Sequence, residues 1–220
     1  MTGRSGSFPT TDGVDPVELD RLTQPIRAEL NAKFAAREIG IIKSREVIRA
    51  SANAIRALHR GQWETADDLV ARAEHMLAEI ATALSDHPDI LYAGFVHDAA
   101  KEYAEAALCT ALFRRRPLPD PDSLGVHPVA YLHGLGEAVG ELRRRMLDLL
   151  RTEDLAGAEW CLSEMDQIVD LLADLDYPDG MTGGLRRTTD VARSLVERSR
   201  SDLTTTVVQE RLRTQLSKKD

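Results

Sequence analysis

Apolar side chains recur at helical spacing along most of the chain. In residues 16–60, Ile41, Ile48 and Ile55 repeat every seven positions and form one apolar stripe. The segment contains one internal proline, close to its start, and one glycine. The pattern therefore predicts a single, very long first helix, with Gly40 as the point where it bends.

Turn-forming residues divide the rest of the chain into five further helices. Clusters rich in proline, glycine, serine and aspartate interrupt the apolar periodicity and mark the helix ends. Only residues 204–208 have a locally strand-like composition. The sequence therefore predicts an all-α fold, an antiparallel bundle of about six to seven helices with a very long first helix. The helices after the first are predicted over 62–84, 89–113, 128–151, 154–175 and from 184 past 203.

The composition is that of a globular protein. The chain has 220 residues, of which 43% are hydrophobic and 29% charged, and no apolar run is long enough to span a membrane. Residues 1–15 are small and polar, and we expect a flexible N-terminal tail there. A helical domain is expected over 16–204, followed by a tail or helix extension over 205–220. The two cysteines lie far apart in the sequence, which fits a reducing cytoplasm.

The distribution of basic residues bears on nucleic-acid binding. The net charge is −8, so any surface for nucleic acid must collect its basic residues in one place. Arg45, Arg49, Arg56 and Arg60 fall within about 60° on the first helix, with His59 at the edge and no acid in that arc. Such a row can follow a phosphate backbone. The alternative is a surface row that pairs with acids on neighbouring helices.

Carboxylates interrupt the apolar stripe of the third predicted helix. Asp98, Glu102 and Glu105 lie within about 60° of one another, in an arc that also contains Leu91 and Phe95. Burying three anions is costly, so we expect a metal ion, an arginine or raised pKa values beside them. The alternatives are an internal salt bridge and an interface lined with water.

The fourth predicted helix carries a second carboxylate pair. Glu137 and Glu141 lie opposite its apolar stripe, and Gly134 and Gly140 beside them allow another backbone to approach closely. Two such helices packed together would assemble four or five oxygen ligands, a set that suits a magnesium or manganese hydrolase. Taken alone, the pair also fits a solvated helix face.

Several blocks of the sequence resemble the translin and translin-associated factor X (TRAX) family, in its prokaryotic or archaeal type. These blocks are GFVHDAAKEYAEA (94–106), YLHGLGEAVGELRR (131–144) and LRRTTDVARSLVERSRSDLT (185–204). SREVIRASANAIRALHRG (44–61) is similar to the family's first conserved helix, and the similarity covers roughly 20–204. The resemblance implies a translin-like fold and a homo-oligomer, an octameric closed shell, that binds single-stranded RNA or single-stranded DNA.

The resemblance also assigns roles to the carboxylates. Glu102 and Glu105 match the glutamates of the family's EYxEA block, and Glu141 matches the glutamate of its GELRR block. Glu137 stands where the nuclease branch has an aspartate. By resemblance to the TRAX branch, Glu102, Glu105 and Glu137 are the catalytic residues and bind Mg²⁺ or Mn²⁺, with Glu141 and Asp98 as further ligands or supporting groups.

Three functions stay open at the level of sequence. The first is a Mg²⁺-dependent endoribonuclease that acts on single-stranded or short structured RNA. The second is a translin-type protein that binds nucleic acid without cutting it. This alternative stays open because Glu137 stands where the nuclease branch has an aspartate. The third is a structural helical assembly whose carboxylates form salt bridges between subunits.

Overall fold

The computed structural model describes residues 15–217, which form eight α-helices. No strand occurs in this range, so the predicted all-α fold with a very long first helix is confirmed. The helices are α1 (Pro16–His59), α2 (Trp63–Ala83), α3 (Pro88–Leu91), α4 (Gly94–Phe113), α5 (Pro128–Arg151), α6 (Leu155–Asp174), α7 (Asp179–Thr182) and α8 (Leu185–Ser217).

The observed elements differ from the predicted ones in three places. The helix predicted over 89–113 is divided into α3 and α4, because Ala93 takes an extended backbone conformation between them. The short helix α7 was not predicted. The strand-like residues 204–208 lie inside α8, where the hydroxyls of Thr204 and Thr205 donate to carbonyls four residues earlier. Thr204, Thr205 and Val208 are exposed, and Val207 is the apolar residue of this stretch that packs against the core, so the helix persists there against the local strand preference.

The two ends of the chain are only partly described. Of the tail predicted over 1–15, all but Asp15 lies outside the described residues. Asp15 is the N-cap of α1, and its side chain accepts a hydrogen bond from the backbone N–H of Val17. At the other end, α8 continues as a helix to Ser217.

Two large groups of buried side chains and one small one hold the bundle together. One large group lies mainly among α1, α2 and α4 and includes Val47, Ile80 and Tyr103, and the other lies mainly among α4, α5, α6 and α8 and includes Leu142 and Met165. Helix α4 contributes to both large groups, with α1 on one side and α5 on the other. The contact between α4 and α5 therefore lies near the centre of the molecule.

The first half of α1 makes few contacts with the rest of the chain. Its apolar residues Leu22, Ile26, Leu30 and Phe34 are all exposed, and burial begins at Ala36. The helix continues through Gly40, where a Cβ atom would lie 3.1 Å from side-chain atoms of α4 and of the residue after α2. The observed role of this glycine is close packing. None of the helices within 15–217 has both the length and the apolar character of a membrane span.

Candidate metal centre

Helices α4 and α5 approach each other closely at Gly134. A Cβ atom at this position would lie 2.9 Å from the backbone nitrogen of Glu105 and 2.9 Å from the carbonyl oxygen of Lys101. Only a residue without a side chain permits this backbone distance. Glu137 lies three residues further along α5, close to the same helix face. The glycine therefore brings the Glu137 side chain against α4.

The close approach holds for one of the two glycines in the sequence pattern. At Gly140 a Cβ atom would meet only Leu195 of α8, at 3.8 Å, which is an ordinary van der Waals contact. The expectation of a close backbone approach at Gly140 is therefore wrong, because this residue faces a side chain of α8 at a distance that would accommodate a methyl group.

Three of the candidate carboxylates converge at the α4–α5 contact. Glu102 and Glu105 of α4 and Glu137 of α5 each offer one carboxylate oxygen, and these oxygens lie within 4.8 Å of one another. We call these three residues the carboxylate cluster. Glu105 is buried at 8% exposure, whereas the Glu137 side chain is 38% exposed. The cluster thus has a buried floor and a rim that is open to solvent.

Glu105 is the most perturbed acid of the cluster. Burial and the nearby negative charges of Glu137 and Glu102 raise the pKa of its carboxyl group to about 8. Within residues 15–217, no hydrogen bond or ion pair reaches its side chain. A buried carboxyl group that has no hydrogen-bond or ion-pair partner of its own and faces two further carboxylates fits a hard divalent cation such as Mg²⁺ or Mn²⁺.

A lysine joins the cluster from the same helix. The Nζ atom of Lys101 lies 2.7 Å from Glu137 Oε1 and 3.2 Å from Glu102 Oε1. Burial opposes the lysine charge, but the hydrogen bonds and charges of the two glutamates outweigh it and raise the pKa of Lys101. No motif or periodicity in the sequence singles out this residue. The rule that buried acids need a cation beside them is general and does not identify which side chain supplies it.

Glu141 lies beside the cluster with a partner of its own. It is hydrogen-bonded to Nε2 of His59, and this bond lowers the pKa of the glutamate although burial opposes the shift. The negative charge of Glu141 also helps to raise the pKa of Glu105, so the two side chains are neighbours. Glu141 can therefore support the cluster but is already engaged by a histidine.

His59 and Asp98 occupy positions that differ from those expected. The His59 side chain is 5% exposed, packs edge-on to Phe113 at 5.1 Å and faces Glu141, away from solvent and from the arginine row. Asp98 is exposed and does not join the three converging carboxylates. It lies one turn before Glu102, on the part of α4 that precedes the contact with Gly134.

The arginine row on α1 is open to solvent. Arg45, Arg49, Arg56 and Arg60 are all exposed, and none of them forms a salt bridge with another described residue. The guanidinium of Arg56 donates to the side chain of Asn53, which carries no charge. The row is thus a stretch of positive charge that the described part of the chain leaves uncompensated.

A cavity of about 640 Å³ lies elsewhere in the structure. It is formed by α2, α3, α4, the loop before α5 and the start of α5, and apolar side chains such as Leu77, Val96 and Leu124 make up most of its walls. No member of the carboxylate cluster lines it. The converging polar groups therefore mark the cluster, and not this cavity, as the candidate site.

The buried acid predicts a pH dependence of stability in metal-free protein. The unfolded chain loses the Glu105 proton near the ordinary value of 4.5, whereas the folded protein keeps it up to about pH 8. The free energy of unfolding contributed by this group therefore falls as pH rises between these values and is lost above pH 8. Glu105→Gln carries no charge and is expected to be more stable than wild type at pH 9, by roughly 5 kcal/mol, since a change of one in pKa corresponds to about 1.4 kcal/mol.

Urea unfolding at pH 5 and at pH 9, in the presence of EDTA, measures this difference. The two proteins should be closer in stability at pH 5 than at pH 9. The same pH slope for both would show that the Glu105 side chain is not held in a charge-excluding environment.

Comparisons with known proteins give relatives over most of the chain. No protein-family model matches. An uncharacterized protein of Methanocaldococcus jannaschii is 26% identical over 205 residues, which cover 92% of this chain and 90% of that protein. Solved structures also share the fold, and three of them are described next.

The first of these structures, AfC3PO in complex with duplex RNA, has a TM-score of 0.79 and is 33% identical, over 86% of this chain and 97% of that chain. The crystal structure of AfC3PO has a TM-score of 0.78 at the same identity, over 86% of this chain and 98% of that chain. The crystal structure of apo-NeC3PO has a TM-score of 0.74 and is 18% identical, over 88% of this chain and 100% of that chain, which shows a common fold. The likeness to AfC3PO extends to sequence over nearly the whole of that protein.

Proposed function

The chain belongs to the translin/C3PO family, and on that premise we propose that it is an RNA-binding endoribonuclease that depends on Mg²⁺ or Mn²⁺. The observation that carries this proposal is the convergence of Glu102, Glu105 and Glu137 across the α4–α5 contact. These are the residues that the sequence motifs assign to the metal. Two independent lines, the family motif and the geometry of the fold, support the same three side chains.

The chemistry of the proposed site follows from its residues. A bound divalent ion would lower the pKa of a water molecule and offset the charge that builds up on the attacked phosphate. Glu102 and Glu137 offer oxygens at the solvent-exposed rim, and Glu105 offers one from the buried floor. Glu141, held by His59, adds negative charge beside the cluster. The exposed rim leaves room for a phosphate group.

RNA binding is supported by the AfC3PO complex with duplex RNA and by the surface of α1. Arg45, Arg49, Arg56 and Arg60 present uncompensated positive charge along one helix face. Arginines in such a row contact phosphates and do not read bases. We propose that they bind the backbone of single-stranded RNA, and of single-stranded DNA, without sequence preference.

Replacing Arg49 and Arg56 by alanine tests the role of the row. Two lost phosphate contacts on a single strand should reduce the slope of log affinity against log salt concentration by about 1.4. Fluorescence anisotropy with a labelled RNA at several salt concentrations measures the slope. Arg186 and Arg193 are exposed but already paired with aspartates, so their double alanine variant is a matched control with an unchanged slope.

A fall in affinity with an unchanged salt slope would contradict the phosphate contacts. It would show that Arg49 and Arg56 stabilise the helix or a subunit contact. Sedimentation of the double variant distinguishes these two roles, because loss of a subunit contact changes the size of the assembly.

We further propose that the protein works as a closed homo-oligomer, an octamer by family resemblance. The support in the chain itself is the first half of α1, where Leu22, Ile26, Leu30 and Phe34 are exposed together. A row of large apolar side chains on a projecting helix is typical of a protein interface. Sedimentation equilibrium of the purified protein measures the number of copies, and a monomer would contradict the proposal.

Incubating purified protein with labelled RNA tests the proposed function. We expect cleavage with Mg²⁺ and none with EDTA, with RNA bound in both. Binding without cleavage in either condition would favour a translin-type binding protein. Absence of binding would favour a structural assembly whose carboxylates serve only to hold helices together.

A further inference from the structure

We propose that Lys101 is a tethered cation that occupies the carboxylate cluster until a divalent ion displaces its ammonium group. The inference rests on the proposed function, since it concerns how the same cluster takes up its metal. It assigns a role to a residue that neither the family motif nor the helix periodicity singled out.

The ammonium group and a metal ion would compete for the same ligands. Lys101 Nζ contacts Glu137 and Glu102, which are two of the three residues whose oxygens converge. A divalent ion held by these two carboxylates would stand within a few ångströms of the ammonium group, and two cations at that distance repel strongly outside bulk water. The two cannot both be held by the cluster in the observed arrangement.

The way in which Lys101 can move is restricted by its backbone. Its carbonyl oxygen lies against Gly134, where a Cβ atom would be only 2.9 Å away, so a shift of α4 at this point would meet α5. The side chain is 19% exposed and ends on a flexible four-carbon stem. Displacement would therefore be a rotation of the lysine side chain toward the open rim near Glu137.

The Lys101 ammonium group affects both the stability of the metal-free protein and its affinity for metal. Without the ammonium group, the carboxylates of Glu102 and Glu137 would repel each other. Lys101 thus stabilises the metal-free cluster and at the same time lowers its affinity for metal, because the two cations compete. A lysine that only joined the helices would leave metal affinity unchanged when it is replaced.

Titration of the full chain with Mn²⁺ tests the displacement. Wild type and Lys101→Met, both stripped of metal with EDTA and dialysed, are titrated by isothermal calorimetry without RNA. We expect Lys101→Met to bind Mn²⁺ about tenfold more tightly, since hydrogen bonds to charged groups contribute on this scale. Metal-free Lys101→Met should also melt at a lower temperature than wild type and recover when Mn²⁺ is added.

Lys43→Met is the matched control. Lys43 forms a 2.8 Å ion pair with Glu79 between α1 and α2, outside the carboxylate cluster. Lys43→Met also removes one lysine and one ion pair, but at a site outside the cluster. It should therefore leave the Mn²⁺ affinity at the wild-type value. If Lys101→Met does not fold, Lys101→Gln, which keeps a hydrogen-bond donor, supplies the same comparison.

The outcomes separate this inference from the proposed function. Equal or weaker Mn²⁺ affinity in the Lys101 variant, with binding to wild type intact, would overturn the displacement and leave the metal site standing. Absence of Mn²⁺ binding to both proteins would overturn the inference together with the metal dependence of the proposed function.

Discussion

Glu102→Gln is expected to reduce RNA cleavage by at least about a hundredfold, since even groups that only support metal ligands cost 10–100-fold when removed. The amide keeps the size and hydrogen-bonding capacity of the side chain but removes an anionic ligand. RNA affinity should stay unchanged or rise, because one negative charge near the bound phosphates is lost. Single-turnover cleavage with Mg²⁺ and binding in EDTA measure the two effects separately.

Asp98→Asn is the matched control for this substitution. Asp98 lies one turn earlier on α4, is exposed and stands outside the carboxylate cluster, so its amide variant should cleave RNA at the wild-type rate. Unchanged cleavage in Glu102→Gln would show that the active site lies elsewhere in the protein. Failure of Glu102→Gln to fold would instead favour a structural role for its ion pair with Lys101.

Gly134→Ala is expected to destabilise the protein by roughly 3 kcal/mol, the upper range for overpacking a filled interior. The added methyl group would meet backbone atoms of Glu105 and Lys101, which cannot move aside as a flexible side chain would. Because α5 must then move away from α4, the variant should also lose Mn²⁺ affinity. Urea unfolding followed by circular dichroism measures the loss of stability.

Gly140→Ala gives the comparison for this second prediction. Its methyl group would find only Leu195 at 3.8 Å, and alanine favours a helix over glycine by up to about 1 kcal/mol. Gly140→Ala should therefore be as stable as wild type or more so. Equal stability of Gly134→Ala and wild type would show that the glycine does not set the distance between α4 and α5.

Much of the helical architecture follows from local sequence signals. The apolar stripe predicts the first helix over 16–60, and Pro128 predicts the start of the helix over 128–151. The observed bounds of α1 and α5 agree with these to within one residue. The break between α3 and α4 was missed because it depends on the backbone conformation of Ala93, a residue type that usually favours a helix. Residues 204–208 lie within α8, and their strand-like composition did not indicate that Val207 packs against the core from a helix.

The carboxylate cluster was predictable because its signals are also local. The helical period places Glu102 and Glu105 on one face, and Gly134 marks where the next helix approaches. The roles of Lys101 and His59 were not predictable, because their partners lie 36 and 82 residues away in sequence. Those contacts depend on how each helix is rotated about its axis, and tertiary packing sets that rotation.

The central claim is that Glu102, Glu105 and Glu137 together bind a divalent cation. Crystals of the protein soaked in Mn²⁺ test it most directly, because manganese gives an anomalous signal that locates the ion. We expect a peak within about 2.2 Å of oxygens from all three glutamates, with the Lys101 ammonium group turned away. Crystals that show no peak at the α4–α5 contact, with Lys101 still bridging Glu102 and Glu137, would contradict the claim.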